Sequence, residues 1–270
     1  MNLWGAVTGQ TKSLFWRSSL IVVAFSTTFL FGCATQKGAN LAPGEVFDPY
    51  EVNNRGTHAF NLEVDKLLFR PAAVGYTNVV PDPIEDSFNA FARNLGEPGD
   101  FVNSLLQGRP DVAGVSLFRF VINTTIGFGG LADAATDFGI PETDTDFGET
   151  LHVWGFGEGA YIELPFYGPS TTRDAVGVVA DLFTNPVSFT FTRAFENPGF
   201  YAEIVERLSD RGRYSSTVDS ILYESADSYA QARLIYLQNR RFELEALDDS
   251  AYIDPYDDPY LDIYEDPYAE

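Results

Sequence analysis

The apolar pattern of this chain changes period several times, and each change marks an element. Residues 20–31 form an uncharged, mostly apolar run. It is preceded by residues 1–19, which hold Lys12 and Arg17 but no acid, and followed by Gly32 and Cys33. A basic start, a short apolar stretch and a small residue are the marks of a secretory leader. The run is shorter than the ~20 apolar residues needed to cross a bilayer as a helix. From Asp48 onward, Val52, Phe60, Val64, Leu67 and Leu68 recur at near-helical spacing, which predicts an amphipathic helix. Asp48, Pro49 and Glu51 have the spacing of a capping box with proline at the first helical position. Pro71 predicts the end of that helix.

The same punctuation repeats. Asp82-Pro83-Ile84-Glu85 predicts a second helix over 82–95, stopped by Gly96; Pro98 opens a third that Gly108 closes. Residues 111–126 are a strongly apolar fourth segment with Val115, Leu117, Phe118, Phe120, Val121 and Ile122, and Arg119 is its one internal charge. It suits either the core or a bilayer face, and the core is the preferred reading. Residues 127–168 contain nine glycines and no clean period, so close packing or sharp bends are expected. Within them Asp146 is a cap for a short helix through Trp154, and 160–165 reads as extended. Helical patterning returns over 172–183, 187–195 and 198–208, and a long helix is expected over 217–247. Residues 248–270 carry Asp-Pro-Tyr at Asp254, Asp258 and Asp266 without a Lys or Arg, which reads as a disordered acidic tail. The expected fold is all-α, mainly helical, with a glycine-rich irregular segment. Its boundaries are a leader at 1–32, a tether at 33–46, a helical domain at 47–247 and the tail.

Charge narrows the function. The chain carries −22, and loss of the leader with its two cations leaves −24. That argues against nucleic acid and against electrostatic attraction to anionic lipid heads. Membrane contact beyond an anchor must then be apolar, and 23 Phe and 14 Tyr supply the material. The lone cysteine, Cys33, cannot form an internal disulfide. Leu30-Phe31-Gly32-Cys33 resembles a bacterial lipobox, whose cysteine becomes the first mature residue and is acylated; two acyl chains suffice for stable anchoring. Ala34, in place of the aspartate that retains bacterial lipoproteins in the inner membrane, fits an outer-membrane address.

Catalytic signals are weak. Residues 127–132 match a loose dinucleotide fingerprint, but that motif works between a strand and a helix, and the segment before it patterns as a helix. His58 and His152 lie far apart, and Glu149 beside His152 makes one pair where zinc wants three or four ligands. No Gly-x-Ser-x-Gly elbow is present. The expectation is a non-enzyme with no metal and no cofactor besides acyl chains on Cys33. Asn123-Thr-Thr125 fits a glycosylation acceptor, but the lipobox points to a bacterial cell.

The ordered motifs carry a family resemblance. Asp48-Pro49-x-Glu51-x-x-Asn54-Arg55, Phe60-Asn61, Asp65 and Arg70-Pro71 come first. Asn94-Leu95-x-Glu97-Pro98, Asn103, Leu106-Gln107-Gly108, Arg119-Phe120 and Asn123-Thr124 follow. Gly127, Gly130, Asp133, Asp146-Phe147-Gly148-x-Thr150-Leu151, Leu164-Pro165, Gly168-Pro169, Arg173-Asp174 and Asp181 close the set. Together they resemble the VacJ/MlaA family of outer-membrane lipoproteins, with departures at Asn53, Ala90 and Ala160. The resemblance implies a ring-like helical body in the inner leaflet of the outer membrane. A central amphipathic channel would take mislocalised phospholipids from the outer leaflet and pass them to a soluble periplasmic carrier, beside a trimeric porin.

Motif residues Asn54, Arg55, Phe60, Asn61, Arg70, Asn94, Asn103, Arg119, Asn123 and Arg173 are candidates for the lipid path. Each of the four arginines can bind phosphate or pair with a carboxylate. Gly127, Gly129, Gly130, Gly155, Gly157 and Gly159 are candidate mobile glycines, and tight packing explains them equally well. A porin-associated scaffold without transport is the alternative function.

Overall fold

A computed structural model describes residues 46–187, 198–245 and 247. The leader, Cys33, nearly all of the tether, the acidic tail and, apart from Val187, the helix expected over 187–195 lie outside the described residues. The fold is mainly helical, as the periodicity predicts.

Helix α1 (Glu51–Val64) passes through a π-helical turn, Asp65–Phe69, directly into α2 (Arg70–Val79). Pro71 therefore does not end the helical run; it follows the π-helical turn directly and sits in the first turn of α2. The Asp48 carboxylate does not cap α1 either. It accepts from Asn54 Nδ2 at 2.8 Å, from Arg233 Nη1 at 2.5 Å and from the Tyr229 hydroxyl, and Tyr50 takes the N-cap position without a side-chain bond.

Helix α3 (Asp82–Leu106) runs unbroken through Gly96 and Pro98, so the two shorter helices expected here are one. Pro98 cannot donate to the carbonyl four residues back. Next to that gap the Leu95 carbonyl takes a side-chain donor, Asn185 Nδ2, at 3.0 Å, the kind of insertion that lets a helix continue past a proline. A turn at Gly108, with φ of 75°, returns the chain as α4 (Pro110–Thr125), which packs along α3.

After α4 come a single turn, α5 (Ala134–Asp137), and α6 (Phe147–Val153), which Asp146 caps through the Glu149 N–H at 2.8 Å, as expected. The extended segment is β1 (Tyr161–Leu164). It pairs antiparallel with an unforeseen β2 (Gly168–Thr171), Tyr161 opposite Thr171 and Leu164 opposite Gly168. Helix α7 (Thr172–Thr184) follows at once, capped by Thr171.

Helix α8 (Pro198–Arg213) lies against α2 and α3. The long helix expected over 217–247 is two, α9 (Ser215–Leu222) and α10 (Ser228–Glu245). The break between them lets Asp227 pair with Arg55 and accept from the Ala230 N–H.

The interior is inverted in polarity. Among the described residues the buried apolar set is mostly alanine, with a small cluster of Tyr161, Tyr229 and Leu237. The buried polar set is larger and includes Glu85, Asn94, Glu97, Asn103, Arg119 and Arg173. On α4, Ala113, Ser116, Arg119 and Asn123 face inward, while Leu117, Phe118 and Val121, and Ile126 just past the helix end, are exposed. The fourth apolar segment thus presents its large side chains outward and its polar ones to the core, the reverse of the preferred reading.

Candidate functional site

The polar interior is held by arginines that each collect several acceptors. Arg119 donates from Nε to Glu97 at 2.7 Å, from Nη2 to Asp133 at 3.0 Å and from Nη1 to the Ile140 carbonyl at 2.8 Å. Asn123 completes that knot, donating to Asp133 and accepting from the Ala135 N–H. Arg240 on α10 reaches Asp146 at 2.7 Å and Glu149 at 3.2 Å, so the last helix is tied to α6. Arg173 pairs with Asp174 at 3.1 Å and lies near His152.

Two other arginines hold the outside of the body. Arg55 bridges Glu51 and Asp227 and lies over the Tyr229 ring at 4.5 Å. Arg70 forks onto Asp219. All four candidate arginines therefore pair with carboxylates.

Two of the asparagines tie helix to hairpin through the backbone. Asn54 and Asn61 donate to the Tyr161 and Leu164 carbonyls at 3.1 and 2.9 Å and so dock α1 on the hairpin. Phe60 meets Phe166 edge to face at 5.2 Å. Asn94 donates to Thr124 at 3.2 Å. His58 is buried between Glu163 and Ser228. Among the described residues no cluster of His, Cys, Asp and Glu could hold a metal.

The candidate glycines divide. A Cβ on Gly127, Gly130 or Gly159 would collide with the Ala132 carbonyl, the Asn94 side chain or the Thr172 hydroxyl, whereas Gly129, Gly155 and Gly157 face open space. The first three permit close approach.

A cavity of about 660 Å³ opens between α3, α7 and α8. Of the residues expected to line a lipid path, Asn103 alone stands on its wall. Asn103 donates to Asp181 at 3.0 Å, and Asp181 also accepts from the Phe147 N–H and the Thr184 hydroxyl, which joins α3, α6 and α7 at the cavity floor. The rest of the wall alternates acids such as Asp100 and Glu206 with apolar side chains such as Leu182 and Phe200.

Burial, then the neighbouring Asp144 and Glu97, pushes the Asp100 carboxyl up to about 9. Burial likewise raises Asp144, Asp181 and Glu206. The sequence does not single out Asp100, because Gly96 and Pro98 carry the signal of a helix break. On one continuous helix Leu95, Gly99 and Asn103 follow at intervals of four, with Ala92, Gly96 and Asp100 beside them, a single face.

The family model described as MlaA lipoprotein matches residues 46–243, from the entry to α1 through nearly all of α10. The chain belongs to the MlaA lipoprotein family. A member from Escherichia coli K12, the intermembrane phospholipid transport system lipoprotein MlaA, is 36% identical over 231 residues, 83% of this chain and 87% of that one. MlaA of Haemophilus influenzae is 32% identical, covering 84% and 90% of the two chains. An uncharacterized protein of Rickettsia bellii is 36% identical over 202 residues, 74% of this chain and 78% of its own. A solved structure described as "Structural basis for maintenance of bacterial outer membrane lipid asymmetry" superposes with a TM-score of 0.62 at 32% identity, covering 73% of this chain and 98% of that one. The matched span contains the cavity and every MlaA motif residue named above.

Proposed function

We propose that this protein removes mislocalised phospholipids from the outer leaflet of the bacterial outer membrane and hands them to a soluble periplasmic carrier. Its ring-like body sits in the inner leaflet beside a porin trimer, facing the periplasm and held by acyl chains on Cys33. The protein does no covalent chemistry; the lipid is cargo.

The observation that carries this reading is the inverted polarity of α3 and α4. Ile84, Phe88, Leu117, Phe118 and Val121 are exposed while Glu85, Asn89, Glu97, Arg119 and Asn123 are buried. In water that arrangement exposes apolar surface at a large cost; in acyl chains it is the stable one. Lipid-facing backbone must satisfy its own hydrogen bonds, which favours helices. Among the described residues no helix is long and apolar enough to cross a membrane, which suits residence in one leaflet. The relatives named as phospholipid transport lipoproteins support the same reading.

Deleting the protein from its host should raise outer-leaflet phospholipid and sensitise cells to detergent. An unchanged outer leaflet overturns the proposal. A scaffold without transport should purify with no specifically bound phospholipid.

A further inference from the structure

The cavity wall has one sign of charge. Asp100, Asp144, Asp146, Asp181, Glu203 and Glu206 stand on it, and among the described residues no Lys, Arg or His does. An adjoining cavity of about 260 Å³ shares Asp146, Tyr167, Val178 and Asp181 with the first. Its one cation among the described residues is Arg240, which is nine-tenths buried and has an Nε–H without an acceptor in the protein. Two of the wall acids are paired from behind, Asp146 with Arg240 at 2.7 Å and Glu203 with Arg207 at 2.8 Å. Among the described residues Asp100, Asp144, Asp181 and Glu206 have no cation within ion-pair distance, so the joined space offers four unpaired acids, one unsatisfied donor, and apolar side chains between them.

We propose that this cavity selects phospholipids whose headgroup ends in a cation, ammonium-bearing zwitterions, over phospholipids of net negative charge; the proposal rests on the conduit reading above. An ammonium is attracted by every charged group on the larger wall and a bare anion is repelled by each of them. Partial burial weakens screening and strengthens both effects. Asp100, Asp144, Asp181 and Glu206 are held above the usual carboxylate range by burial, so an incoming cation supplies the stabilisation their ionised forms lack. Val178, Leu182 and Phe200 offer acyl chains an apolar surface beside that wall, which free amines cannot use.

The test uses the full-length acylated protein in detergent, equilibrated with vesicles of equal phosphatidylethanolamine and phosphatidylglycerol and re-isolated. Mass spectrometry then counts the lipid carried. The expected phosphatidylethanolamine enrichment is about tenfold over the vesicle ratio, as a net interaction with one or two partly screened carboxylates would give. The variant Asp100→Asn/Glu203→Gln/Glu206→Gln should still carry lipid but fall to within about twofold of the vesicle ratio. Should it fail to fold, the pair Glu203→Gln/Glu206→Gln on α8 should lower the enrichment about threefold.

Wild-type protein carrying both lipids in the vesicle ratio overturns the charge selection and leaves the conduit standing. Wild-type protein carrying no lipid overturns the conduit reading and this proposal with it. A folded variant that keeps the full enrichment shows that the selection arises elsewhere and overturns the assignment to this wall.

Discussion

Arg119 and Glu97 form an ion pair 2.7 Å long between α4 and α3, with side chains 1% and 5% exposed. Removing one partner of such a pair leaves an uncompensated charge in a poorly solvated place, which typically costs about 3–5 kcal/mol. Arg119→Met should cost that much, since it strands both Glu97 and Asp133. Glu97→Gln should cost clearly less, because burial already pushes that carboxyl up to about 7 and favours its neutral form. Chemical denaturation of the detergent-solubilised protein measures both. Equal losses for the two variants contradict the argument.

Stability should fall as the medium turns alkaline. Asp100 titrates at about 9, and Glu97 and Glu149 at about 7, all raised chiefly by burial. A carboxyl raised in the folded state binds its proton more tightly there. Its contribution is complete below its unfolded value of about 4 and is lost as pH climbs through the folded one. Asp133 has the opposite sign. Despite burial, hydrogen bonds from Thr136 and Asn123 hold it at about 2, so its contribution is present above about pH 4 and lost below. The melting temperature should peak near pH 4–5 and decline towards pH 9. Asp100→Asn should flatten the limb above about pH 7 and raise the midpoint at pH 8. A profile that rises from pH 5 to pH 9 would sink this account.

Gly177 lets α7 touch the first turn of α6. A Cβ there would lie 2.5 Å from the Gly148 nitrogen and 2.8 Å from its Cα, and backbone cannot step aside as a side chain can. Gly177→Ala should therefore cost roughly 2–4 kcal/mol. Gly157→Ala, where nothing lies within 4 Å, should stay within about 0.5 kcal/mol of wild type. Thermal unfolding of the two variants side by side gives the comparison.

The exposed face of α4 should govern attachment to lipid and not folding. Phe118 and Val121 are 66% and 47% exposed. Phe118→Asp/Val121→Asp should leave the helical content unchanged by circular dichroism and cut flotation with neutral vesicles several-fold, since each buried charge opposes insertion. Undiminished flotation would place the lipid contact on another face.

Cys33→Ala should abolish incorporation of labelled palmitate and shift the protein away from the outer membrane. If the exposed apolar face of α4 lies in lipid, as proposed, some of the mutant should stay membrane-associated and be released by mild detergent. Full retention in the outer membrane would remove the cysteine from the address.

Local signals were legible along the chain. Asp146 caps α6 because a short acceptor at that spacing meets the Glu149 N–H whatever lies around it. The stretch after Ala160 extends into β1, and the ordered motifs carried the family. Continuity and facing were not legible, because both depend on residues distant in sequence. Gly96 and Pro98 look like a stop until Asn185, some ninety residues on, donates to the Leu95 carbonyl. Residues 223–227 break the last helical run where Asp227 finds Arg55. Periodicity shows that 111–126 has two faces but carries no record of the solvent each one meets. That choice was made by Glu97 on α3 and Asp133 beyond the glycine turn, which draw Arg119 inward and leave Phe118 outside. A helix turns its apolar face to the core only when water is outside. Here the polar partners sit within, and the energy is lowest when the outside is lipid.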